Sequence, residues 1–380
     1  MKQSLSLLLA FLLGLLLCVT ATATPHAATN SPPSVSAQSA ILINAADGSA
    51  YFEKSADTPM GMASTTKLMT ALVVAERCTP EDVVTVAPEA VGIEGSSIYL
   101  IQGERLTVEE LLYALLLSSA NDAATALAIE VAGSVDAFCD MMNERAEQMG
   151  LTQTHFTNPH GLYHEEHYTT ARELATIAAE VLAVPLLRQI VSTTRHTIPH
   201  DGTPDLRLLL NHNKLLRTYE GAVGMKTGFT KKTGRTLVSA AERDGMTLIA
   251  VTLNAPDDWR DHTAMLDYGF ASYETLTVAV GELCFSMPVT NGTCDAVTLI
   301  NAEPLTLTVP KEHGEPSYTV EATGRFLFAS VKAQAPCGTV TLSCEGATTS
   351  APLVTAHSVD SLSPNKQGPL ARIRNFFQLD

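Results

Sequence analysis

The sequence predicts two folded units of different class: an α/β (α+β) domain of antiparallel strands and helices over residues 39–272, and a small all-β domain over 273–362. Two observations lead there. The chain has 380 residues, too many for one modest core. Up to residue 272, apolar residues at helical spacing alternate with short β runs, whereas beyond it only Val- and Thr-rich runs separated by turn residues remain.

At the N-terminus, Lys2 precedes an apolar run over 7–19 and the small residues Ala21-Thr22-Ala23. This reads as a secretory signal peptide over 1–23, since its apolar core falls short of the ~20 residues of a spanning helix. Cys18 follows Leu17, not the small residue that lipid attachment would want. A Pro-, Ser- and Ala-rich leader fills 24–38. Residues 40–44 and 49–53 flank Asp47-Gly48, a hairpin signal.

A helix is expected over 64–77, with Leu68, Ala71, Leu72 and Ala75 at helical spacing, buried on most sides and therefore central. Thr107 and Glu110 form a capping box that opens a helix through Leu117, and another runs over 122–133, so Ser119 to Asn121 falls at a break. Further helices are expected over 135–149 and 170–182, and strands over 222–226, 237–241 and 246–253, the last two joined through Asp244-Gly245. The β runs of the second unit cover 296–300, 305–309, 318–322 and 338–343. A polar linker then leads to 370–379, where Leu370, Ile373 and Phe377 share one helical face beside Arg372 and Arg374, a pattern for peripheral membrane contact.

The net charge of −16, with 24 Lys and Arg in no dense cluster, argues against a nucleic-acid partner. An exported protein fits better. Export permits disulfides, yet Cys78, Cys139, Cys284, Cys294, Cys337 and Cys344 contain no Cys-x-x-Cys pair and read as scattered thiols. Cys284 with Cys294, and Cys337 with Cys344, are the candidate bridges.

The chemistry lies in three ordered motifs: Ser64-Thr65-Thr66-Lys67, Ser119-Ala120-Asn121 and Lys226-Thr227-Gly228. A Ser and a Lys three residues apart share a helix face, giving a nucleophile and a base, provided burial and a nearby cation such as Lys226 lower the lysine pKa. Ser64 at a helix start offers its N–H to an oxyanion, and Phe229 would offer the second donor beside Gly228. Lys226 and Thr227 would bind a terminal carboxylate, Ser119 would relay a proton to a leaving amine, and Asn121 would hold a substrate amide. A second S-x-x-K, Ser363-Pro364-Asn365-Lys366, lies in the linker, and a second K-T-G, Lys232-Thr233-Gly234, reads as a turn. His155, His160, His164 and His167 with Glu165 and Glu166 suggest a metal, but the spacing misses H-E-x-x-H, and no metal or other cofactor is expected.

With these motifs the chain resembles the serine-type D-alanyl-D-alanine carboxypeptidases, the low-molecular-mass penicillin-binding proteins of peptidase family S11. Further matching segments are Ala63 with Met69-Thr70, Asp122-Ala123, Asn158-Pro159-His160-Gly161-Leu162, Asn213-Lys214-Leu215-Leu216, Gly224-Met225, Thr230, and Arg260 ahead of Leu266-Asp267-Tyr268-Gly269-Phe270. The resemblance implies a penicillin-recognising, β-lactamase/transpeptidase-like catalytic domain with an antiparallel sheet and a helical subdomain, then a β-domain and a membrane-associating tail. It implies an extracytoplasmic enzyme that acylates Ser64 with a peptidoglycan stem peptide ending in D-Ala-D-Ala, releases the last D-Ala and limits cross-linking. β-Lactams would acylate the same serine. Ala120 stands where many members have Gly, and the tail is short, so only weak peripheral membrane binding is expected. A D,D-endopeptidase uses the same site and stays open. A class A β-lactamase would need an E-x-x-L-N segment between the second and third motifs, which is absent. A silent wall-binding protein would not need the intact nucleophile and base.

Overall fold

The computed structural model describes residues 31–200 and 202–362. The signal peptide, the start of the leader, the Ser363 motif and the amphipathic tail lie outside the described residues.

Strands β1 (Ser39–Asn44) and β2 (Ala50–Lys54) form the hairpin expected around Asp47-Gly48. They join β3 (Ala222–Thr230), β4 (Gly234–Arg243) and β5 (Met246–Leu253) in a five-stranded antiparallel sheet of order β2-β1-β5-β4-β3. β3 is longer than the expected 222–226 and carries the whole Lys226-Thr227-Gly228 motif; Lys231 to Thr233 make the turn into β4. β4 and β5 are joined at Asp244 and Gly245, both at positive φ (49° and 77°), as a two-residue hairpin requires.

The sheet is covered on both faces, and its alternation assigns them. Ile41, Ile43, Ile249 and Val251 pack into the larger core with the helices, while Leu42, Leu248 and Ala250 meet Met265 and Leu266 of a helix on the opposite side. The helices of the first face are α1 (Lys67–Arg77), α2 (Val108–Leu117), α3 (Asn121–Ala132), α4 (Val135–Gln148), α5 (Ala171–Ala183) and α6 (Pro185–Ser192). A short turn, Leu215–Thr218, is α7, and α8 (Asp258–Ser272) covers the second face. Leu68 to Val74 of α1 are all buried, which makes it central. The Thr107 capping box forms as expected: the Glu110 N–H donates to Thr107 Oγ1 (3.2 Å) and the Thr107 N–H to Glu110 Oε2 (2.8 Å).

The helix expected to begin at Ser64 begins differently. Ala63–Thr66 is a 3-10 helix, and the α-helix proper starts at Lys67. The Thr65 and Thr66 hydroxyls donate back to the Met62 and Ala63 carbonyls (2.6 and 2.7 Å), which holds the first turn in the tighter i, i+3 geometry.

The described residues beyond Ser272 are all strand and turn. A six-stranded sheet contains Cys284–Thr290, Ala296–Asn301, Ser317–Ala322, Leu327–Phe328, Pro336–Cys344 and Ala347–Thr355, and Tyr273–Val278 pairs with Leu305–Pro310 beside it. Their apolar residues make a separate core of Val297, Leu299, Leu307, Val340 and Leu353, among others. Asn44 reaches across to the Thr308 hydroxyl (3.1 Å), and Tyr51 stacks on Tyr273 at 3.7 Å. All six described cysteines are free, so neither candidate bridge forms.

Candidate active site

Three chain segments far apart in sequence meet at the start of α1. Ala63 is held at φ 47°, a left-handed conformation costly for a residue with a side chain, and the bend presents Ser64 at the mouth of a cleft of about 590 Å³. One turn on, Lys67 is fully buried. Its Nζ donates to Ser64 Oγ (3.2 Å), Asn121 Oδ1 (2.7 Å) and the His160 carbonyl (2.6 Å), which uses all three ammonium protons. Burial, and then the charge of Lys226, hold the Lys67 amine well below the ordinary lysine range, with Asp122 pulling weakly the other way.

The second segment is the break between α2 and α3. Ser119 sits there at φ 59°, again left-handed, and lines the cleft. The loop before α2 fixes Asn121: the Asn121 N–H donates to Ser96 O (2.7 Å) and its Nδ2 to Glu94 O (2.5 Å). With Oδ1 taken by Lys67, this side chain keeps one N–H for a ligand. Asp122 anchors the same loop, accepting from Ser97 Oγ (2.6 Å) and the Leu100 N–H (3.0 Å).

The third segment is β3. It ends the sheet, so its outer edge is free to pair with an extended ligand. Thr227, Gly228 and Phe229 line the cleft. A Cβ at Gly228 would lie 3.0 Å from Ser64 N and 2.3 Å from Thr236 Oγ1, so only glycine lets the strand approach the serine turn. Lys226 is the nearby cation whose charge lowers the Lys67 pKa. It is 1% exposed, donates to Thr227 O (2.9 Å), and burial pushes its pKa down to about 7.

The loop 157–162 closes the site from behind. Asn158 Oδ1 accepts the Gly161 N–H (2.7 Å), Thr70 Oγ1 donates to Pro159 O (2.6 Å), and His160 O thereby reaches Lys67.

The profile of peptidase family S11, described as D-alanyl-D-alanine carboxypeptidase, matches residues 26–257. The chain belongs to this family. The D-alanyl-D-alanine carboxypeptidase DacF of Bacillus subtilis is 31% identical over 320 residues, 82% of either chain, and DacC of Escherichia coli is 33% identical over 334 residues, 83% of this chain and 82% of that one. Among solved structures, penicillin-binding protein 5 of Haemophilus influenzae superimposes with a TM-score of 0.68 at 28% identity, over 87% of this chain and 99% of the other.

In this carboxypeptidase every site residue expected from sequence falls in one region: Ser64, Ser119, Thr227, Gly228 and Phe229 on the cleft, and Lys67, Asn121 and Lys226 buried behind it. The wall formed by Lys214, Arg217, Arg235, Asp258 and Trp259 was not singled out as a site from sequence. Arg235 donates to Asp258 Oδ1 (2.9 Å), and its guanidinium lies 5.9 Å from the Trp259 ring centre. The signal available for it was faint: Arg235 directly follows the second K-T-G, a motif set aside as a turn. The histidines bond to separate partners instead of converging. His155 Nδ1 meets Glu166 O (2.5 Å), and His164 Nδ1 accepts the Glu166 N–H (3.2 Å). Among the described residues no group of three His, Cys, Asp or Glu is placed to hold a metal ion.

Proposed function

We propose that the hydrolysis runs through an acyl-enzyme on Ser64, and the observation that carries this is the buried Lys67 amine 3.2 Å from Ser64 Oγ. A neutral amine has two N–H groups and one lone pair. Asn121 Oδ1 and His160 O hold the two N–H groups, so the lone pair is left facing Ser64. Ser64 Oγ attacks the carbonyl carbon of the penultimate D-Ala as its proton passes to Lys67 Nζ. The Ser64 and Phe229 N–H groups stabilise the oxyanion. When the C–N bond breaks, Ser119 relays the proton to the amine of the departing D-Ala. Water then hydrolyses the ester and frees Ser64.

The substrate lies along the edge of β3, with the remaining Asn121 N–H on its amide. Its terminal carboxylate meets Thr227 first, and the cations Lys214, Arg217 and Arg235 on the cleft wall draw it in, while the buried Lys226 acts from beneath the strand. A β-lactam carries a similar carboxylate beside an acylating carbonyl and would label the same serine. This chemistry takes place on peptidoglycan outside the cytoplasm, which suits the signal peptide read in 1–23. The catalytic unit spans 39–272 and the β-unit 273–362, and 370–379 adds weak peripheral membrane contact.

The test is D-alanine release from a peptide ending in D-Ala-D-Ala by the wild-type chain and by Ser64→Ala. Release that vanishes in the variant supports the acyl-enzyme route. Release that persists overturns it.

A further inference from the structure

We propose that Thr66 and His167 are positioning residues that aim the Ser64 N–H at the oxyanion; this rests on the reading of Ser64 as nucleophile and oxyanion donor. The hydrogen bonds that link them have only one consistent set of directions. His167 Nδ1 faces the Thr157 N–H at 3.0 Å, and a backbone N–H can only donate, so the ring proton sits on Nε2. Nε2 lies 2.7 Å from Thr66 Oγ1 and must donate to it. The Thr66 hydroxyl proton then goes to the Ala63 carbonyl, 2.7 Å away. His167 is 3% exposed and Thr66 1%, so water does not compete for these bonds. Burial holds the His167 ring neutral, as this arrangement requires.

The carbonyl at the end of this chain belongs to the Ala63–Ser64 peptide. A trans peptide is planar, with C=O and N–H pointing in opposite directions, so fixing the Ala63 oxygen fixes the direction of the Ser64 N–H. That N–H belongs to the first turn of a helix and has no intrahelical acceptor. The Ser64 nitrogen faces the cleft strand: a Cβ at Gly228 would stand 3.0 Å from it. Ala63 at φ 47° is strained, and strain relaxes unless neighbours hold it. The Thr66 hydroxyl clamps its carbonyl, and His167 clamps the hydroxyl. His167 also ties this turn to the loop whose His160 carbonyl holds Lys67, so one buried ring registers the oxyanion donor against the base.

An oxyanion donor acts in the transition state, not in ground-state binding. Thr66→Val keeps the shape and removes the hydroxyl; Thr66→Ser keeps the hydroxyl. Stopped-flow acylation by benzylpenicillin separates the pre-covalent binding constant from the acylation rate constant. For Thr66→Val the rate constant is expected to fall about 10- to 100-fold, below the full loss of a donor because the N–H is misaimed and not deleted. The binding constant should stay within about threefold, and Thr66→Ser should acylate within about threefold of wild type. His167→Gln, which keeps a donor near the Nε2 position, should fall between wild type and His167→Ala. Adding Thr66→Val to His167→Ala should cost little more, because the two residues act through one carbonyl. Acylation of Thr66→Val at the wild-type rate would overturn the inference. So would Thr66→Ser as slow as Thr66→Val, or a loss confined to the binding constant. Ser64→Ala, run alongside, tests the underlying reading: label retained there defeats that reading, whereas label lost there with a fast Thr66→Val defeats only this inference.

Discussion

Lowering the pH from 7.5 to 5.0 should cost this enzyme several kcal/mol of stability through histidines that it buries neutral. His167 and His262 are 3% and 0% exposed, and burial pushes both rings down from 6.5 to about 3. Neither can bind a proton in the folded state near pH 5, whereas the unfolded rings do. Because the unfolded chain then holds more protons, folding loses free energy as pH falls from about 6.5 toward 3, and the full contribution is present only above that window. At pH 5 an unfolded ring is protonated by roughly 30 to 1, which amounts to about 2 kcal/mol per ring. The figure depends on the ordinary value, so a folded pKa of 4 in place of 3 would barely change it. The two rings together give about 4 kcal/mol, a large part of the 5–15 kcal/mol of a typical domain. His160, also near 3, adds in the same direction. Ordinary carboxylates titrate mostly below pH 5, so the interval from 7.5 to 5.0 reads chiefly the histidines. Urea unfolding at pH 7.5 and 5.0 measures the difference, and His262→Gln should shrink it by about 2 kcal/mol. A loss below about 1 kcal/mol, or a variant with the same pH slope as wild type, would refute the argument.

Replacing Lys226 by Met removes the charge that helps to depress Lys67, so the Lys67 pKa should rise and the acid limb of the acylation rate should move to higher pH; a limb that stays in place would separate the two amines. Gly161→Ala puts a Cβ 1.9 Å from the Ala63 oxygen at φ 89°, and should cost more than about 3 kcal/mol together with penicillin labelling, read by thermal melting and by label uptake. Arg207 pairs with Glu104, whose side chain is fully buried. Arg207→Ala should therefore cost about 3–5 kcal/mol in urea unfolding by leaving that carboxylate without its cation.

The features legible in the sequence are those written within a few residues. The Thr107 capping box, the Asp47-Gly48 and Asp244-Gly245 hairpins and the three catalytic motifs each carry their geometry in adjacent side chains. What was not legible depends on contacts between segments distant in the chain. Lys226 was expected to help bind a carboxylate; that it is buried on the same strand face as Gly228, toward the serine turn and close enough to act on Lys67, depends on contacts its motif does not show. Asn121 was expected to hold a substrate amide; its bonds to Glu94 and Lys67, 27 and 54 residues before it, were not visible in the motif, and they leave one Nδ2 proton. The histidine cluster suggested a metal by residue type and its spacing argued against one, but its actual partners were not visible: His167 meets a threonine 101 positions away.

These long contacts explain why the site can hold two residues in left-handed conformations. Ala63 and Ser119 each cost roughly 1–2 kcal/mol in that region, and neither has a glycine's freedom to adopt it. Local sequence alone would relax both. Each lies beside a residue bonded across the fold: Thr66 to His167 on one side, Asn121 to Glu94 and Lys67 on the other. Lys67 bonds to both sides at once, through Ser64 Oγ and Asn121 Oδ1. The proposed base is thus also the brace between the two strained turns. A neutral Lys67 still has two N–H groups, enough to keep Asn121 and His160 in place while its lone pair takes the serine proton, so the brace survives the change of protonation that catalysis demands.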